Sequence, residues 1–545
     1  MRLGAIHAAV LSGAVVSLFF VNLGGKQFWA SHVESRRAEI ASNMLKSGDY
    51  MAPTLNGKKI FTKPPLYYWT LAASFKINGA ATEKAARVPS ALFGVATVFL
   101  TALIASRLFG SVTAFFSAAT LATSYLFLFY SRLAELDVEF AFFITLSFYF
   151  LLELRANPGK STAILFWLSA ALGFMVKGPF ALMYPLGASL ALAPFDEKGR
   201  RWAAIKALFP PAGVALFAVI VLPWFLYVIF FDDAWSVFNE EALQRVTSSR
   251  GKHHPPLFYL GSLMANFSPW ALLLPFALYW MTARDFAREN LFPLSWAITG
   301  LVVASLISAK NHHYILPLYP AFAIIVGRLL AACAQGELGE APWLGKTAGF
   351  IGLFISGLVF ILFVALPVAP FFTGEVPHIH PWLNAAIIPV AGLVFWKSVS
   401  FFRAGDSWRL WLGVIANVFI LFIFVHAAAM PAMNNRHSHK DFVVAAGKII
   451  KPRDEAAMFK LENFQVSFYL GRPAPVVWSV EDLKKRLDEA FESGDRFFVI
   501  TRFKDMDEVL SSIGGRTRLV DEWFVPPDEA AKGKRFVLIE KRKES

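Results

Sequence analysis

Charge is scarce in this chain, and cysteine is almost absent. Only 17% of its 545 residues are charged, against about 25% in soluble domains. That shortage argues against an ordinary water-soluble enzyme. The single cysteine, Cys333, excludes an internal disulfide and a cysteine metal cluster. There is no internal repeat, heptad run or low-complexity tail, and the last 110 or so residues hold neither a glycine-rich phosphate loop nor an evident catalytic triad. No signal-peptide cleavage site is seen. The first apolar run, 4–22, is long enough to span a bilayer and lacks an A-x-A-like end.

What is present is hydrocarbon. Hydrophobic residues make up 56% of the chain, Phe occurs 55 times, and mean hydropathy is +0.51. These totals describe a polytopic α-helical membrane protein. The net charge of +13 then reflects Lys and Arg gathered in cytoplasmic loops and near anionic lipid, and no nucleic-acid partner is expected. On the rule that a span needs roughly 17–25 apolar residues, about thirteen transmembrane helices are expected. They lie near 4–22, 85–107, 111–130, 134–153, 161–177, 179–194, 207–231, 257–281, 289–307, 312–332, 346–370, 383–402 and 408–430. With the N-terminus cytoplasmic, the basic loops Arg155–Lys160, Lys198–Lys206, Arg284–Arg288 and Arg403–Arg409 fall inside, as the positive-inside rule asks. An odd count then puts the C-terminal part outside, in the periplasm of a Gram-negative host.

The same parity collects the unusual polar residues on the outer face. The first outer loop, 23–84, is long, and loops of that length are more often functional than idle. Within it, Val33, Ile40 and Met44 recur at helical spacing, and Gly48-Asp49 stops the pattern, which predicts a short helix lying in the interface. Pro64 to Ala73 predicts a second. After Pro431 the composition turns charged and mixed. Helices near 440–451, 481–493 and 504–513, with strands near 456–460, 496–501, 517–525 and 535–541, predict a small α/β domain. The domain boundaries are therefore 1–431 and 432–545.

Charges against hydrocarbon are costly and ask for a reason. Asp137 sits one turn into the fourth span, flanked by Glu135 and Glu139. It reads either as a base or substrate anchor at the outer mouth or as an interfacial acid that reaches water. Glu34 reads either as a site acid or as a first-turn acid favoured by the helix dipole. Lys63 precedes Pro64-Pro65, a rigid turn on which a lysine can meet a phosphate as a point charge or simply snorkel. Arg245, Arg250, Lys252, His253 and His254 cluster in one outer loop and suit an anionic headgroup, or merely lipid contact. Lys310 with His312, His313 and Tyr314 forms a similar cluster between two spans.

Taken together, R-x-A-E-I-A from Arg36, K-P-P-L-x-Y-W from Lys63, L-D at Asp137, K-G at Lys177, E-x-x-x-R…H-x-P-x-x-Y from Glu241 to Tyr259 and S-A-K…Y-I-L-P-x-x-P from Ser308 to Pro320 resemble the bacterial lipid A aminoarabinose transferases. They also resemble the protein O-mannosyltransferases, which are likewise membrane glycosyltransferases of the C superfamily. The resemblance covers the membrane core in order, and the C-terminal domain shows little motif. It implies a thirteen-span core with a periplasmic α/β tail and a sugar donor linked to polyprenyl phosphate. It further implies Glu34 and Asp137 as catalytic acids, Lys63, Arg245, His253, Lys310 and Tyr314 at the carrier phosphate, and Arg36, Glu39, Lys177 and Tyr259 as positioning residues. The chain departs from the family at Val33, where Asp is usual, and at Thr62, where Glu is usual. Either Glu34 takes the Asp role, or Asp137 acts alone, or the acceptor needs no base.

The expected activity is sugar transfer from the carrier to lipid A or another envelope glycan, on the periplasmic side of the inner membrane. No cofactor is demanded, and assistance by a divalent cation is left open. A lipid or glycan transporter, or a non-catalytic envelope scaffold, are the competing classes.

Overall fold

The computed structural model describes residues 4–543 apart from 26–27, 29–32, 197–204, 231–254, 256, 285–286, 307–309, 366–380, 432–438, 494–495, 515–516 and 523–535. Two compact units emerge. One is Met1–Lys26 with Phe61–Met433, and the other is Gln27–Ile60 with Asn434–Ser545. The 23–84 stretch is thus shared between them.

The first unit is helical. A helix coincides with each of the thirteen apolar ranges, from Ala5–Phe20 to Ser407–Phe424, and Leu66–Asn78 supplies the short helix expected after Lys63. Among the described residues, seven helices are long and apolar enough to cross a membrane, or nine if each of two bent pairs is one span. The chain is a multi-pass helical membrane protein. The helix ends follow the sequence chemistry. The Thr82 side chain caps Glu83–Phe109 by accepting from Ala85 N at 3.2 Å, and Asp406 caps Ser407–Phe424 by accepting from Arg409 N at 3.0 Å.

The ranges 111–130 and 257–281 are not straight spans. Ser111–Ala122 and Tyr125–Ser131 meet at 67°, and Phe258–Asn266 and Trp270–Arg284 meet at 118°. Backbone groups freed by a break in hydrocarbon must find partners. Here the two breaks serve each other: Tyr125 N donates to Ser268 O at 2.9 Å, and Trp270 Nε1 donates to Thr123 Oγ1 at 2.9 Å. The centre of the unit is the almost wholly buried helix Tyr319–Gln335. Its Gly327 lies so close to Ser117 that a Cβ there would stand 2.7 Å from the Ser117 backbone nitrogen.

The second unit contains helix Val33–Ser47, a hairpin of β1 (Thr54–Leu55) and β2 (Lys58–Lys59), and an α/β layer structure. Its five-stranded sheet comprises β3 (Glu455–Phe459), β4 (Val476–Val477), β5 (Arg496–Arg502), β6 (Thr517–Glu522) and β7 (Phe536–Arg542), in the order β4-β3-β5-β7-β6. β3 is parallel to β4 and β5, while β7 runs antiparallel to β5 and β6. Side chains alternate faces along a strand. Phe498 and Ile500 therefore join Phe442, Val443 and Ala446 of helix Lys440–Ile449, while Phe497 and Val499 join Leu483, Leu487 and Val509 on the other face. Helix Phe464–Leu470 and β4 are additions to the sequence reading, and both are too short to show a period. The 504–513 helix begins at Met506 after one 3-10 turn.

Candidate active site

The helix Leu136–Ala156 opens with Asp137 and Glu139 in its first turn, where the exposed N–H groups favour negative charge. Asp137 is buried and forms a salt bridge with Lys177, the last residue of helix Lys160–Lys177. Burying either charge alone would be strongly unfavourable, so each offsets the burial cost of the other. Gly178 follows with φ +88°, a backbone setting that favours glycine and ends the helix at Lys177. Lys177 Nζ also lies 4.8 Å from the centroid of the Tyr314 ring and 5.6 Å from that of Phe140, a cation–π cage that fixes the ammonium.

Tyr314 belongs to the 3-10 segment His312–Leu318. Trp296 anchors that segment, donating to Pro317 O at 3.1 Å while it stacks on Phe148 at 3.9 Å. The segment presents both histidines. His313 Nδ1 pairs with the Tyr130 hydroxyl at 3.1 Å, and His312 Nδ1 pairs with Ser262 Oγ at 2.8 Å. Tyr184 donates to Tyr314 O at 3.4 Å. Tyr259 is buried beside Phe258, whose ring meets His312 at 4.9 Å.

The structure thus brings together Asp137, Lys177 and Tyr314, with His312, His313 and Tyr259 alongside. Lys310 is buried two residues ahead of His312. Lys63 is half-buried just before helix Leu66–Asn78, and Thr70 of that helix donates to Glu139 at 3.1 Å. Glu34, Arg36 and Glu39 stand on helix Val33–Ser47 of the second unit. Glu34 and Glu39 are buried there. Arg245 and His253 lie outside the described residues. Among the described residues, no three His, Cys, Asp or Glu side chains gather as a metal site needs.

Sequence reasoning missed Tyr130 and Tyr184, which stand among many aromatics near span ends and carry no charge to single them out. It also passed over two buried arginines. Arg132 donates to Leu18 O at 2.7 Å and Phe19 O at 2.6 Å, and Arg87 donates to Leu23 O at 3.2 Å. Arg132 thereby caps open carbonyls in the last turn of helix Ala5–Phe20, and Arg87 holds the turn that follows it. Only their charge at a span end signalled them.

A cavity of about 420 Å³ opens at the opposite end of helix Leu136–Ala156, with Arg155, Asp196, Arg288 and Glu289 in its lining. Its charges are balanced, with Arg155 paired to Asp196 and Arg288 3.6 Å from the same carboxylate. At about 1.5 Å per residue, it lies far from Asp137.

The dolichyl-phosphate-mannose-protein mannosyltransferase family matches residues 62–227. An uncharacterized protein of Aquifex aeolicus is 35% identical over 58% of this chain and 62% of its own length, so the chain spans a little under two thirds of that relative. The undecaprenyl phosphate-alpha-4-amino-4-deoxy-L-arabinose arabinosyl transferase 2 of Pseudomonas fluorescens is 28% identical over 81% of this chain and 79% of its own. In fold, the chain is similar to the crystal structure of ArnT from Cupriavidus metallidurans bound to undecaprenyl phosphate. The TM-score is 0.76 at 20% identity, covering 98% of each chain.

Proposed function

We propose that this chain is a membrane glycosyltransferase of the C superfamily, of the lipid A aminoarabinose transferase type, and that it moves a sugar from a polyprenyl phosphate carrier to lipid A. The observation that carries this reading is the buried Asp137–Lys177 pair, which lies inside the region the mannosyltransferase family matches and is set against Tyr314 from outside that region. Relatives named for undecaprenyl phosphate-linked donors supply the carrier class.

In the proposed reaction, an acceptor oxygen attacks the anomeric carbon, and the bond from that carbon to the carrier phosphate oxygen breaks. The electron pair leaves with polyprenyl phosphate. Lys63 and Lys310 stabilise the charge that develops there, with Arg245 and His253 assigned to the same task. A hydroxyl acceptor gives its proton to a carboxylate, with Asp137 as the base and Glu34 orienting the acceptor. A phosphate acceptor, already ionised at neutral pH, needs only orientation. Lys177 pairs with Asp137 and fixes its direction.

The finer assignments travel with this reading. These are thirteen crossings, the bacterial inner membrane, and a site and C-terminal unit on the periplasmic side. A release assay tests it: purified protein with a labelled undecaprenyl phosphate-linked sugar and lipid A should yield free undecaprenyl phosphate and glycosylated lipid A. Binding without turnover by correctly folded protein would overturn it.

A further inference from the structure

The C-terminal 110 residues hold no site acid of the proposed reaction, yet they grip the loop that does. Phe28, five residues ahead of helix Val33–Ser47, is fully buried. Its ring meets Phe468 at 5.1 Å and Tyr469 at 6.1 Å. Its nitrogen donates to the Tyr469 hydroxyl at 3.4 Å, and its carbonyl accepts from Gln465 Nε2 at 3.1 Å. Gln465 is also fully buried. Its Oε1 accepts from His439 N at 3.3 Å, and its own nitrogen donates to Asn463 Oδ1 at 2.9 Å. One amide therefore ties the chain just after the first apolar helix to the chain just after the last.

The far end of the helix is fastened to the same short helix Phe464–Leu470. Lys46 Nζ donates to Gly471 O at 2.6 Å, and Ser467 is hydrogen-bonded to Asn56, whose backbone N–H donates to Glu39 Oε1 at 2.9 Å. Midway, the Arg36 guanidinium lies 5.8 Å from the centre of the Phe464 ring.

We infer that helix Phe464–Leu470 is a clamp for the first loop, and that Gln465 and Ser467 are positioning residues which set the pose of Glu34 and Arg36. The inference rests on the proposed transferase reading for its catalytic consequence, but the clamp itself does not. Gln465 makes use of both ends of its amide. A buried amide that loses its partner forfeits binding that cannot be recovered from water. Gln465→Glu keeps the acceptor toward His439 and loses the donor toward Phe28. It should therefore behave like Gln465→Ala, while Ser467→Ala is the milder variant if either fails to fold.

The test uses the full chain in lipid nanodiscs, read by hydrogen exchange and by transfer from an undecaprenyl phosphate-linked sugar. In Gln465→Ala or Ser467→Ala, residues 33–47 should exchange faster while β5 stays protected. The turnover number should fall about tenfold, the factor expected for one lost hydrogen bond, with undecaprenyl phosphate binding unchanged. Unchanged protection of 33–47 overturns the clamp. Lost protection with full turnover overturns its link to catalysis, as does an equal loss of carrier binding. Wild-type protein that protects 33–47 but transfers no sugar sinks the transferase reading and leaves the clamp to be judged by exchange alone.

Discussion

Asp137 stood out as a single residue because an acid at the edge of an apolar run needs a reason, and Lys177 stood out through the K-G of the family resemblance. Their pairing was not legible, because the two residues lie on different helices and meet only in the fold. The pair predicts that Asp137→Asn lowers turnover by at least about 10²-fold. Undecaprenyl phosphate should still raise its thermal midpoint, which separates chemistry from carrier binding. Lys63→Ala is expected to raise KM for the carrier-linked donor about tenfold, the worth of ~1.4 kcal/mol, with kcat nearly kept. Glu39 carries a different expectation. Burial pushes its carboxyl from 4.5 up to about 7, against the pull of the Asn56 N–H, Lys46, Arg36 and Asn43. A raised carboxyl means that the folded protein holds the proton more tightly than the unfolded chain does. Its contribution to stability is therefore complete below about 4.5 and is lost as pH rises through about 7. Glu39→Gln keeps an acceptor for Asn56 and carries no charge. Its melting temperature should exceed wild type near pH 8 and match it near pH 5, as differential scanning would register.

At the level of elements, hydropathy marked the multi-pass helical character of the first unit, where seven to nine described helices are long and apolar enough to span, because twenty apolar residues in a row have one favourable solution in lipid. It could not mark the bends at 67° and 118°, which depend on the two breaks satisfying each other through Tyr125, Ser268, Thr123 and Trp270. Helix packing is the other element-level feature hidden from sequence. Gly327 admits the backbone of Ser117, and such close approaches are how small residues join helices in membranes. Gly327→Val should cost about 1–3 kcal/mol or more from overpacking, read as a lower thermal midpoint in detergent. A midpoint equal to wild type would show that the two helices part without penalty.

For the molecule as a whole, the sequence read two domains from one change of composition at Pro431. The second unit resumes at Asn434. What the change of composition could not disclose is that residues 27–60 group with the tail, since Phe28 and Gln465 are 437 positions apart and no local pattern joins them. The proposed orientation has its own check. Alkaline phosphatase fused after Ser545 should be active in a Gram-negative host, whereas an active cytoplasmic reporter at the same point would reverse the placement of the site. The long span between Phe28 and Gln465 also bears on biosynthesis. Ribosomes deliver a chain from its N-terminus, so Phe28 emerges hundreds of residues before the amide that receives it. Throughout that interval its ring lacks its final neighbours, and non-local contacts of this kind form slowly. Messages truncated ahead of codon 465 should therefore yield proteins whose membrane helices insert but whose early loop is cut by proteases, and the last stretch to be translated would decide when the first becomes competent.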